Sequence, residues 1–170
     1  MLVIQRPTVE ALGDDHPARQ RFAVGPLEQG FGHTISNSLR RCLLSSIPGA
    51  AITAVRFDDA LHEFDIIQGV TEDVTDIILN IKDVVLTSAS DDPITIRLDV
   101  RGPAEVTAGD IQATSDVEIL NPDLHLATLN SKARLAVDLT VDRGTGYLSA
   151  LGRNSTTIGV IPIDAIFSPV

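Results

Sequence analysis

The sequence predicts an α+β domain, and three observations carry that prediction. Two stretches have helical spacing of their apolar residues. Several shorter ones alternate apolar and polar residues as strands do, and the strands far outnumber the helices. The chain has 170 residues, of which 44% are hydrophobic and 21% charged, a balance that supports a packed core rather than disorder.

Residues 7–20 contain Pro7, Gly13, Asp14, Asp15, His16 and Pro17 and read as an irregular connection. A short strand follows at residues 21–24, ended by Gly25-Pro26. The first helix is read from GFGHTISNSLRRCLLSS, residues 30–46. At about 100° per residue, Phe31, Ile35, Leu39, Cys42 and Leu43 fall on one stripe, with Asn37, Arg40, Arg41 and Leu44 on the opposite side. Ile47-Pro48-Gly49 stops the helix, because proline disfavours helical geometry in the residue before it. Residues 51–57, AITAVRF, read as a half-buried strand. Asp58-Asp59 then suits a turn into ALHEF, as a hairpin or a loop between paired strands.

A second helix is expected in TEDVTDIILNIKD. Thr71 is placed as its cap, Val74, Ile77, Ile78 and Ile81 as its buried stripe, and Lys82 at its negative end. Two later strands alternate clearly. Ile94, Ile96, Leu98 and Val100 line one, and Leu135, Val137, Leu139 and Val141 line the other. Between them, short strands and turns fit VEIL and LHLATL better than a helix does. Gly144-Thr145-Gly146 reads as turn geometry rather than a phosphate loop. A loop then runs to Gly159, and VIPIDAIF is a last apolar strand whose proline suggests a sheet edge.

The chemistry of the chain points away from catalysis. A formal net charge of -10 and a pI near 4.6 repel phosphate, so a broad electrostatic grip on nucleic acid is not expected. No P-loop and no G-x-S-x-G elbow occurs. Gly30-Phe31-Gly32 lacks the third glycine of a dinucleotide fingerprint, since position 35 is isoleucine. His62-Glu63 lacks the second histidine of a zinc-protease motif, since position 66 is isoleucine. His16, His33, His62 and His125 are scattered without ligand spacing, so no metal and no cofactor are expected. The aspartate pairs at 14–15, 58–59 and 91–92 flank turns, where solvated carboxylates need no function. Cys42 lies on the apolar stripe and reads as buried packing rather than a reactive thiol. The opening MLVIQRP is too short for a signal peptide, no apolar run reaches membrane length, and Asn154-Ser155-Thr156 is read as a chance sequon. The cytoplasm is the expected compartment.

The arginine side of the first helix supports two readings. Arg40 and Arg41 suit a solvated face favoured by the helix dipole. With Leu44 between them in projection they equally suit a protein interface, combining a planar donor fork with an apolar anchor.

The segments PLEQGFGHTISNSLRRCLLSSIPGAAITAVRFDDALHEF and GVTEDVTDIILNIKDV resemble the N-terminal domain of the bacterial RNA polymerase alpha subunit, with an actinobacterial flavour. GPAEVTAGDI, VEILNPDLHLATLN, the RG-x-GY loop at residues 143–147 and IPIDAIFSPV agree in the same order. The resemblance covers essentially everything after about residue 20. It implies a non-catalytic assembly scaffold in which alpha forms a homodimer and recruits the beta and beta-prime subunits, which hold the catalytic magnesium. It further implies a dimer interface at Phe31, Ile35 and Leu39. Beta or beta-prime contacts would fall at Arg40, Arg41, Leu44, Lys82 and Ile163.

The implied fold is a split dimerisation subdomain, residues 1–48 with a return strand at 163–170, interrupted by a mainly-β insert at 49–162. Ser36, Asp59 and Thr145 depart from glycine, glycine and arginine usual at these family positions. Because the chain ends at Val170, weaker dimerisation and no direct DNA contact are expected, and neither a membrane nor a small-molecule substrate is implied. The alternative is a free-standing relative that binds some other protein.

Overall fold

The computed structural model describes residues 6–16, 19–151 and 157–170. The fold is α+β, and the chain divides into two compact units, Met1–Cys42 and Leu43–Val170. In the first, β1 (Thr8–His16) and β2 (Arg19–Gly25) pair antiparallel, with Val9 opposite Val24 and Ala11 opposite Phe22. The irregular connection expected at residues 7–20 is therefore corrected. The ladder to β2, with the Thr8 hydroxyl donating to the Gly25 carbonyl at 3.0 Å, holds extended a segment whose own pattern is weak. Gly30, at φ 91°, turns the chain into α1 (Phe31–Ser46), and α1 runs past the boundary between the units.

In the second unit the order is β3 (Pro48–Phe57), α2 (Val74–Lys82), β4 (Leu86–Ser88), β5 (Ile94–Arg101), β6 (Ala104–Thr107), a 3-10 turn, β7 (Ile111–Gln112), β8 (Val117–Ile119), β9 (His125–Leu129), β10 (Arg134–Thr145), β11 (Tyr147–Leu148), β12 (Val160–Pro162) and β13 (Ala165–Ile166). An antiparallel five-stranded sheet runs β12-β3-β10-β5-β7, and β6-β9, β4-β8 and β11-β13 form separate pairs. The predicted inward residues of β5 and β10 form the core, although Ile94 and Val100 at the ends of β5 are only half-buried. The buried stripe of α2 is Val74, Ile77, Ile78 and Ile81, as its spacing requires, and α2 packs on β9 and β3. Pro162 lies on the edge strand β12, where its missing N–H leaves no gap in the ladder.

Three local expectations change. The cap of α2 is Asp73, whose carboxylate accepts the Asp76 N–H at 2.8 Å, while the Thr71 N–H donates to the Thr128 carbonyl. Residues 60–64 form bends and turns instead of a strand, because β3 takes its partners from β10 and β12, distant in sequence. The apolar VIPIDAIF run is two strands, β12 and β13, with a break at residues 163–164.

The sheet depends on an irregularity at Thr53. Ile52 and Val55 are both buried although they are three residues apart, which strict alternation forbids. The register slips there: Thr140 pairs with Ala54 and Val141 with Ile52, leaving Thr53 as the extra residue of a bulge. Its hydroxyl, fully buried, donates to the Asp142 carboxylate, and its carbonyl accepts the Ile163 N–H at 2.9 Å.

Gly49 and Gly144 face each other across β3 and β10. A Cβ on Gly49 would lie 1.9 Å from the Phe167 carbonyl oxygen, and one on Gly144 would lie 2.8 Å from the Phe167 ring. Both glycines thus make room for the end of the chain. Gly49→Ala should destabilise the protein by more than about 2 kcal/mol, read as a lower urea midpoint. Gly32, inside α1 with open space around it, is the contrast. Gly32→Ala should be neutral or stabilising by up to about 1 kcal/mol.

Candidate functional site

Two places gather the residues singled out by sequence. The first is α1, among whose residues none is buried. Phe31 and Leu39 are 55% and 51% exposed, and Ile35 is half-buried. Cys42 is exposed, which corrects its expected burial: the stripe it shares with Leu43 is uncovered within the chain. Arg40, Arg41 and Leu44 are exposed on the other side, Leu44 at 38%. The last turn of α1 holds no basic residue, and the dipole acts mainly within the last turn, so it accounts poorly for these arginines.

The second place brings together Lys82 and Ile163, 81 positions apart by their numbers (163 minus 82). Lys82 ends α2 and is one-third exposed. Ile163 is only 4% exposed and belongs to the core, so its side chain is covered within the chain. With its N–H fixed on the Thr53 bulge, Ile163 instead sets the position of Asp164. The Asp164 carboxylate accepts the Ala150 N–H at 2.8 Å and lies 3.8 Å from the Lys82 ammonium. The Ala150 N–H, helped by Tyr147 and Lys82, holds this carboxyl below its ordinary range.

Beside this pair opens a cleft of about 490 Å³, with Ile52, Ile81 and Phe167 among its apolar walls and Lys82, Arg143 and Asp164 among its polar ones. The Phe167 N–H donates to the Gly146 carbonyl at 2.9 Å. Gly146, at φ 66°, is the turn glycine expected from sequence, whereas Gly144 lies within β10.

The outward face of the sheet is charged. Arg56, Asp138 and Arg97 occupy one row across β3, β10 and β5, at 2.6 Å for each contact, and Arg97 also reaches Asp58. Arg134 grips Asp99 with two hydrogen bonds. Burial pushes the Asp138 carboxyl up, but Arg97 and Arg56 outweigh it and leave it lowered; Asp99 is lowered by Arg134. Burial likewise raises Glu72, and the Thr128 N–H, His125 and the Thr128 hydroxyl overcome it.

Among the described residues no three His, Cys, Asp or Glu side chains gather as metal ligands, and no helix is long and apolar enough to cross a membrane. The sequon at residues 154–156 lies outside the described residues. Sequence reasoning passed over Asp164 and the Gly49–Gly144 pair. A single carboxylate inside the apolar run VIPIDAIF was the available signal for Asp164; the glycine pair left none, because its register is set by the bulge.

The antiparallel five-stranded sheet with α2 packed on it, and the segment after β12 docked beside the end of that helix, define an α+β domain. The model of the RNA polymerase Rpb3/RpoA insert domain matches residues 55–168, and the chain belongs to that family. It is 55% identical over 174 residues to the DNA-directed RNA polymerase subunit alpha of Beutenbergia cavernae, covering 100% of this chain and 51% of that protein. It is 57% identical over 171 residues to the subunit alpha of Corynebacterium glutamicum strain R, covering 100% and 50%, and 54% identical over 174 residues to that of Kineococcus radiotolerans, covering 100% and 51%. The chain spans about half the length of these curated relatives.

The lowered carboxyls fix the direction of the pH dependence. A carboxyl whose folded pKa is depressed adds stability that is present above its unfolded value and lost as pH falls through the folded one. With ordinary values of 3.8 for aspartate and 4.5 for glutamate, urea midpoints should stay level from neutrality to about pH 5 and fall below about pH 4. Asp138→Asn should make that acid fall shallower.

Proposed function

We propose that this chain serves as a non-catalytic assembly scaffold of a bacterial RNA polymerase, pairing with a second alpha copy and recruiting the beta and beta-prime subunits. The observation that carries the reading is identity of 54–57% along the whole chain to proteins named DNA-directed RNA polymerase subunit alpha. The two exposed sides of α1 support it: one is apolar, and the other places a leucine among arginines. In this reading Phe31, Ile35 and Leu39 meet the second copy, while Arg40, Arg41 and Leu44 meet a large subunit. Lys82 forms a second contact, and Ile163 acts from inside by setting the residue beside it.

Residues 1–48 and 163–170 then belong to a dimerisation subdomain interrupted by the insert at 49–162. The chain works in the cytoplasm and uses no cofactor of its own. The chemistry of nucleotide transfer lies in the large subunits.

Co-expression of a tagged chain with beta and beta-prime tests this. Wild type should recover beta, and Arg41→Ala or Leu44→Ala should each weaken recovery by about 2 kcal/mol, roughly thirtyfold in affinity. Recovery equal to wild type with both variants correctly folded would refute the assignment of that face.

A further inference from the structure

We infer that Asp164 is a positioning residue for Lys82, fixing its ammonium at the rim of the cleft so that it meets a carboxylate-bearing segment of a large subunit; this rests on the scaffold reading above. The support is geometric. Asp164 directly follows Ile163, whose side chain is in the core and whose N–H is bound to the Thr53 carbonyl, so the backbone beneath the carboxylate is held from inside. One carboxylate oxygen is occupied by the Ala150 N–H at 2.8 Å, and the other lies 3.8 Å from the Lys82 Nζ. The anion is thus tied to two segments before the lysine arrives.

Lysine has a flexible four-carbon stem, and ordering it at an interface costs conformational entropy unless it is ordered beforehand. A fixed carboxylate supplies that order. At 3.8 Å the contact is an ion pair longer than a hydrogen bond, so the ammonium's N–H donors remain available to a third group. Both side chains are about one-third exposed, at 33% and 36%, and the cleft beside them has apolar walls. A docking segment would therefore bury the pair and strengthen a carboxylate–ammonium contact that water screens in the free chain. Neighbouring charges do not duplicate this: Arg143, also on the cleft, is paired with Asp91 at 2.7 Å.

The test uses the full chain with beta and beta-prime, measuring affinity for Lys82→Ala, Asp164→Asn, Asp164→Glu, the double variant Lys82→Ala/Asp164→Asn, and the exchange Lys82→Asp/Asp164→Lys, with urea midpoints in parallel. Lys82→Ala and Asp164→Asn should each weaken binding by about three- to tenfold, and the double variant no further than Lys82→Ala alone. Asp164→Glu should recover most of the loss. The exchange rebuilds an ion pair but moves the cation, so it should fail to restore binding.

Wild-type affinity in Asp164→Asn, or full recovery in the exchange, would overturn the inference. Failure of the wild-type chain to bind either large subunit would instead defeat the scaffold reading, and the positioning is then decided by NMR of the chain alone. Held as inferred, the Lys82 side-chain resonances should differ from those of a free lysine and revert in Asp164→Asn. Resonances already those of a free lysine in the wild type would overturn it.

Discussion

The ladder between β3 and β10 is the constraint on which the second unit depends. It joins residues as far apart as Pro48 and Thr145, 97 positions along the chain (145 minus 48), and the loop closure it requires is offset only by the apolar surface it buries. Leu139 against Val55 and Val137 against Phe57 supply much of that surface, with α2 closing over it. The bulge at Thr53 keeps both Ile52 and Val55 inside, at the cost of one buried hydroxyl, which the Asp142 carboxylate satisfies.

The bulged residue also anchors the return of the chain. The Thr53 carbonyl binds the Ile163 N–H and continues the β3–β12 register, so alternation carries past β12 with Ile163 inward and Asp164 on the other side. The Gly49–Gly144 pair, a few residues along the same ladder, then leaves space for Phe167. A short segment with little regular structure of its own is held by a backbone bond, two absent side chains and one carboxylate. The end of α2 and this segment meet there.

The two faces of the sheet divide the work. The inward face supplies stability through packing. The outward row of Arg56, Asp138 and Arg97 is partly solvated, so each of its contacts contributes little alone, and its main effect is to favour one strand register over its neighbours. The proposed docking surfaces lie elsewhere, on α1, where Phe31 and Leu39 are exposed, and at the cleft, where Val85, Leu120 and Ile166 are.

Periodicity alone determined the α+β class, α2 and its buried stripe, and the inward faces of β5 and β10, because in each the apolar spacing matches the geometry of the element. The run from Phe31 likewise revealed a helix with two unlike sides. Where the local pattern was weak or broken, tertiary contacts decided: β1 is a strand because β2 offers it a ladder, and residues 60–64 are not one because β3 is already paired. Helical spacing could place Cys42 on a stripe but could not say whether anything covers that stripe. The pairing of Gly49 with Gly144, which sets both against Phe167, follows from one slipped register. A register is a relation between distant strands, and no window of neighbouring residues contains it.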